Sequence, residues 1–299
     1  MPIRSWATLA ALTFLVAGCA APTNSPAATP QPAATTIPAN NGTPAPGARP
    51  VTLVGHRGGA GLAAENTMAA YRAGIAAGAQ AIELDVHLTK DGALAVMHDP
   101  DVSRTTDGAG TIGALTLAEL KKLNAAARST TTKDPQEVPT LDQPLALAAA
   151  SKVDVYIEIK VPPTGRYPGI EAKVAQAVKQ AGMAGHVLVI SFDLPTLQAV
   201  KAADASLPTG WLMQRSGVPT EAKASAQALA DLAKKSGVDN LGISRDYLSA
   251  EIVQAAHEKG LTVGVWTVDD PVEMRQFANW GVDAITSNRP DVLVSTFGK

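Results

Sequence analysis

The stretch "AIELDVHLTKDGALAVMHD", residues 81–99, decides how the rest of the chain is read. Its first half alternates: Ile82, Leu84 and Val86 fall on one side, Glu83, Asp85 and His87 on the other. A free hairpin with one wet face has this pattern. So does a barrel strand, whose apolar side meets helices and whose other side points into the barrel mouth. The neighbouring sequence distinguishes the two.

Working outward, further β-rich runs fall at 51–56, 153–159, 187–192, 208–213, 240–244, 261–267 and 283–287. Between them lie 64–77, 141–150, 169–181, 194–203, 220–236, 249–259 and 271–280, rich in Ala, Leu, Gln, Glu and Lys, which favour helix. Asp193 and Ser249 are placed to cap helices, and Pro271 suits a first turn. Gly78, Gly182, Gly237, Gly260 and Gly281 follow helical segments, where a left-handed cap is wanted. This alternation predicts an α/β chain folded as a TIM (β/α)8 barrel over 51–299. Its rhythm breaks once, after the second strand. The interval of about 87–138 reads as an insertion on the catalytic face, with a helix at 116–123.

The first residues differ in kind. Arg4 precedes a short apolar run, "WATLAALTFLVA" at 6–17, too short for a membrane span. Small residues lead to Cys19, the only cysteine, in a pattern that resembles a bacterial lipobox. The resemblance implies a lipoprotein signal peptide at 1–18, cleavage before Cys19 and lipidation of Cys19. Residues 19–50, built from Ala, Pro, Thr, Asn and Gly, have little to bury and read as a tether. The expectation is an exported protein, lipid-anchored to a bacterial membrane and facing the periplasm or exterior. A single cysteine excludes an internal disulfide. A net charge of -2 and 4% aromatic residues argue against nucleic acid as a partner.

In a TIM barrel, chemistry gathers at the C-terminal strand ends. Those ends carry His56-Arg57, Glu83 with Asp85, Glu158 with Lys160, Phe192 and Trp266. Carboxylates gathered in a barrel mouth repel one another unless a cation separates them. Glu83, Asp85 and Glu158 therefore suit one hard divalent cation, Ca²⁺ or Mg²⁺; ion pairs with Arg57 and Lys160 and no metal are the alternative. A two-residue Asp91-Gly92 turn would pair Asp85 with His98, and His56 enters from the adjacent strand. Two histidines beside a metal suit acid–base work. Phe192 and Trp266 either pack on the substrate or close the barrel core. His87 shares the carboxylates' parity but falls beyond the strand's expected end. His186 and His257 fall away from the mouth.

At these residues the chain resembles the glycerophosphodiester phosphodiesterase family. The resemblance runs in order through "GHRGG", "ENT", "AIELDVHLTKDG", "VMHDPDVSRTTDGAG", "VPTL", "IEIK", "SFD", "VWTVDD" and "GVDAITSNRP". It implies metal-dependent hydrolysis of small glycerophosphodiesters to glycerol 3-phosphate and an alcohol. Glu83, Asp85 and Glu158 then match the metal ligands, His56 and His98 the catalytic pair, and Arg57 and Lys160 the basic residues near the phosphate. His56 is assigned as base and His98 as acid, with water or the substrate's 2-hydroxyl as nucleophile. One departure, Thr286-Ser287-Asn288 in place of Thr-Asp, touches a polar contact at the end of strand eight but no catalytic position. Two other readings stand beside this one. The first is a related barrel phospholipase acting on lysophospholipids or phosphoinositides, which the mildly apolar insertion disfavours. The second is a non-catalytic phosphoester-binding lipoprotein, which would not need an acid–base pair.

Overall fold

The computed structural model describes residues 50–298. The expected signal peptide, Cys19 and the expected tether up to residue 49 lie outside the described residues. A run of β-branched and aliphatic residues at each expected position forms a strand. These are β1 (Thr52–Gly55), β2 (Ala81–Leu88), β4 (Asp154–Ile159), β5 (Val187–Ser191), β6 (Thr209–Met213), β7 (Asn240–Ser244), β8 (Thr262–Trp266) and β9 (Ala284–Ser287). Each pairs in parallel with the next, and β1 pairs with both β2 and β9, which closes the barrel. A short strand, β3 (Leu94–Val96), runs antiparallel along β2.

The helices follow the strands: α1 (Met68–Ala76), α3 (Asp142–Ser151), α4 (Ile170–Gln180), α5 (Leu194–Ala203), α6 (Ala226–Lys235), α7 (Ala250–Glu258) and α8 (Pro271–Trp280). The Asp193 carboxylate accepts from the Thr196 amide and Ser249 Oγ from the Ile252 amide, each cap contributing about 1 kcal/mol. The expected glycine stops have positive φ, from Gly182 at 68° to Gly78 at 95°. Ile82, Leu84 and Val86 turn outward into a cluster with residues of α3 and α4, as the alternation requires.

Three expectations are corrected. The hairpin does not turn on two residues: the Thr89 amide donates to Ala93 O and the Gly92 amide to Thr89 O, with Gly92 at φ 79°. This is a three-residue loop with a left-handed glycine, and it shifts the register by one. Val86 faces Val96, and the Met97 amide, not His98, meets Asp85 O. β2 also runs on to Leu88, so His87 lies within the strand. The helix expected at 116–123 is a single turn, α2 (Leu117–Leu120), closed by a Thr116–Glu119 capping box. A last helix, α9 (Pro290–Phe297), follows β9 and was not anticipated.

The insertion folds around its own small core of Val102, Ile112, Leu120 and Val138, all fully buried. Its apolar side chains turn inward, so it presents no large exposed hydrophobic residue among the described residues; Val161, Phe192 and Val272 are the exposed ones.

Candidate active site

The site begins at the tight turn after β1. Gly58 is at φ 89°, and a Cβ there would meet the Tyr71 amide nitrogen at 2.7 Å. A Cβ on Gly74 of α1 would stand 1.8 Å from Gly58 O, so only two glycines let the turn settle on the helix. Just before Gly58, Arg57 takes a left-handed conformation, φ 50°. This aims its backbone amide at Glu83 Oε2, 2.8 Å away, and its guanidinium at Glu65, 2.8 Å away.

β2 and β4 bring the carboxylates together. Asp85 pairs with Glu158 across the ladder, so both side chains point into the mouth. Carboxylate oxygens of Glu83, Asp85 and Glu158 lie within 4.8 Å of one another, all buried. Lys160 Nζ is 2.8 Å from Glu158 Oε1 and 3.4 Å from Asp85 Oδ1. Burial, then the neighbouring Asp85 and Glu158, push Glu83 well above the usual carboxylate range. Burial also drives Glu158 up to about 7 against the pull of Lys160. Asp85 goes the other way: Lys160 and Arg57 overcome its burial and hold it low.

Sequence reasoning missed the support beneath Asp85. Asn66, at φ 55°, donates from Nδ2 to Asp85 Oδ2 at 2.8 Å and accepts from the buried Tyr71 hydroxyl at 2.9 Å. "ENT" entered only as a motif; nothing in it announces that its Asn underpins a candidate ligand on β2.

The residues present fit a cation. Asp85 Oδ1 is buried and makes no hydrogen bond. Charge counting agrees. Glu65, Glu83, Asp85, Asp99 and Glu158 face only Arg57, Arg104 and Lys160 as fixed cations. Fully ionised, the five carboxylates would exceed the three fixed cations by two charges, which suits a divalent ion. The ion-pair reading is therefore half right: Arg57 and Lys160 do pair with the carboxylates, yet leave them short of positive charge.

Both expected histidines line one open cavity, with Glu83, Glu158 and Lys160 on its polar side and Ile190, Phe192, Leu212 and Trp266 on its apolar side. Phe192 and Trp266 meet edge to face, ring centroids 5.5 Å apart, so the two aromatics form the cavity wall rather than buried core. His56 Nδ1 is 2.7 Å from Asn288 Oδ1, and its Nε2 faces Glu83 Oε2 at 4.0 Å. Burial, then Arg57, lower His56 to about 4. His98 reaches the mouth because the chain leaves the ladder after Val96, not through a strand pairing. Its Nδ1 is 2.6 Å from Asp99 Oδ1, and Asp99 also pairs with Arg104, which continues to Glu65 at 2.6 Å. Burial lowers His98, and the Asp85 charge works against that.

His87 is now placed. His98 O can only accept, so His87 Nε2 donates to it at 3.1 Å, leaving Nδ1 to accept from the Tyr167 hydroxyl at 3.0 Å. Burial holds His87 down at about 4, so it stays a neutral clamp on the His98 backbone. His186 and His257 bind Asp154 and Asp283 at the opposite strand ends, away from the mouth. The Asn288 departure is corrected too: it does bear on a candidate catalytic residue, since Asn288 holds His56.

A closed (β/α)8 barrel with a carboxylate cluster, two basic residues and two histidines at the strand C-termini defines a barrel hydrolase built for phosphate esters. The model of the glycerophosphoryl diester phosphodiesterase family matches residues 56–292, and the chain belongs to that family. It is 33% identical over 249 residues to a glycerophosphodiester phosphodiesterase of Caldanaerobacter subterraneus, covering 83% of this chain and 98% of that one. It is 31% identical over 257 residues to one of Bacillus subtilis, covering 81% and 85%. Among solved structures, an Oleispira antarctica phosphodiesterase in complex with the product sn-glycerol-3-phosphate superposes with a TM-score of 0.70 at 26% identity, covering 82% of this chain and 96% of that one. The chain is thus a phosphoric diester hydrolase acting on glycerophosphodiesters.

Proposed function

We propose that the chain cleaves glycerophosphodiesters to sn-glycerol 3-phosphate and a free alcohol, with His56 as general base, His98 as general acid and a divalent cation held by Glu83, Asp85 and Glu158. The observation that carries this is the pair of histidines on one cavity with different partners, a neutral amide on His56 and a carboxylate on His98. Bound there, the cation supplies charge neutralisation to the phosphoryl oxygens. Lys160 and Arg57 add positive charge on the same side.

His56 Nε2 takes the proton of the nucleophile, water or the substrate's own glycerol 2-hydroxyl, as its oxygen forms a bond to phosphorus. The bond from phosphorus to the leaving oxygen breaks, and the proton on His98 Nε2 goes to that oxygen. If the 2-hydroxyl attacks, water opens the cyclic phosphate in a second passage with the roles reversed. Phe192 and Trp266 pack against the glycerol or the head group. The inward-turned insertion leaves no apolar ridge for acyl chains, which favours deacylated substrates over lysophospholipids. Carboxylate oxygens within 4.8 Å of one another suit one oxygen-preferring divalent ion, Ca²⁺ or Mg²⁺.

The full chain incubated with glycerophosphocholine and Ca²⁺ or Mg²⁺ should release glycerol 3-phosphate. Tight binding without turnover under either metal would establish the non-catalytic binder instead. Cys19 and the leader before it support export and lipid anchoring. Mass spectrometry of the protein from a bacterial host should find residues 1–18 gone and an acylated Cys19; an intact leader in the purified protein would refute the anchor.

A further inference from the structure

We infer that Asn288, held by Asp269, is a positioning residue that locks His56 in the tautomer with its proton on Nδ1. The inference rests on the reading of His56 as general base and adds a residue pair to it. Asp269 lies in the loop after β8 and Asn288 just after β9. Three donors converge on the Asp269 carboxylate: the Asn288 backbone amide and Ser287 Oγ on Oδ1 and Asn288 Nδ2 on Oδ2, each at 2.8 Å.

The chemistry leaves one arrangement. An ionised carboxylate only accepts, so the amide end facing Asp269 must be the NH₂ group. Oδ1 of Asn288 therefore faces His56, 2.7 Å from Nδ1. An amide oxygen also only accepts, so Nδ1 must carry the proton. Nε2 is left with its lone pair, aimed at the carboxylate cluster and the cavity. The backbone amide of Asn288 is tied to the same carboxylate, which fixes the residue at both ends. Asp269 thus sets a ring it never touches, by dictating which way an amide points.

The test is a nitrogen-15 correlation spectrum of the His56 ring in the metal-loaded full chain, with kcat and KM for wild type, Asn288→Ala, Asn288→Asp and Asp269→Ala. The wild-type ring should show a protonated Nδ1 and a bare Nε2. Asn288→Ala and Asp269→Ala should populate the other tautomer and lower kcat by about 10²-fold, with KM changed less than about threefold. Asn288→Asp keeps an acceptor for Nδ1, since two adjacent carboxylates share a proton, and should keep the tautomer and recover much of kcat. A bare Nδ1 in the wild type would overturn the proposal, and needs no variant to fold. Asn288→Ala with the wild-type tautomer and kcat would overturn it as well. His56→Ala separates the two readings. If it is inactive while Asn288→Ala is unchanged, only the positioning role falls. If it turns over normally, the base role falls and the positioning role with it.

Discussion

His56 and His98 line the same cavity but are presented by different parts of the molecule. His56 stands at the end of a barrel strand, half-buried, against a neutral amide. His98 belongs to the insertion, is more exposed, and rests against a carboxylate that is paired with Arg104. A buried imidazole with a neutral partner resists gaining a proton and offers a lone pair. One backed by a carboxylate tolerates the imidazolium and has a proton to give. On the proposed reading, the barrel carries the base and the added segment carries the acid.

Removing what the two histidines share should have the largest effect. Stripping the cation with a chelator should abolish glycerophosphocholine turnover, and added Ca²⁺ or Mg²⁺ should restore it. Activity that survives exhaustive chelation would place the carboxylates in a purely structural role. Next, His56→Ala and His98→Ala should each lower kcat by about 10²–10⁴-fold while calorimetry finds the cation still bound. Loss of cation binding in either variant would mean the histidine is a ligand.

Asp99→Asn sharpens the contrast on one side only. Without that carboxylate the His98 imidazolium is less stable, so its pKa falls and the proton is lost sooner. The basic limb of the pH–rate profile should move to lower pH and kcat drop about tenfold, with the acid limb unmoved. Phe192→Ala, on the apolar wall, should raise KM a few-fold, about 1 kcal/mol of contact, with little change in kcat. The smallest effect concerns stability. Glu158 sits near 7 rather than 4.5, and Glu83 is also raised, so between these values the metal-free fold holds protons that a cation must displace. The rise in Tm on adding Ca²⁺ should grow as pH climbs towards and through 7, where Glu158 gives up its proton. A rise independent of pH would show the carboxylates to be ionised already.

The same contrast explains what could be read from residues alone. Barrel strands buried on both faces read as aliphatic runs, and glycine stops mark helix ends, so the eight parallel strands and the carboxylates of β2 and β4 were legible. The insertion was harder, because its geometry depends on loop length. A two-residue turn and a three-residue turn with Gly92 left-handed look alike in "TKDGA", and the register went astray by one. His98 still reached the mouth, by leaving the ladder. The supporting residues were not legible at all. Asn288 meets His56 across 232 positions, which only closure of the barrel through β1 and β9 allows, and Asn66 meets Asp85 from the connection that leads into α1.

The division of labour between the histidines is tested most directly by changing the leaving group. A choline alkoxide needs a proton to depart, whereas p-nitrophenolate leaves without one. Turnover of glycerophosphocholine and of the glycerol phosphate p-nitrophenyl diester should be compared for both alanine variants. The account predicts that His98→Ala recovers most of its activity on the nitrophenyl diester while His56→Ala stays slow on both. Recovery by His56→Ala instead, or equal losses on both substrates for both variants, would contradict it.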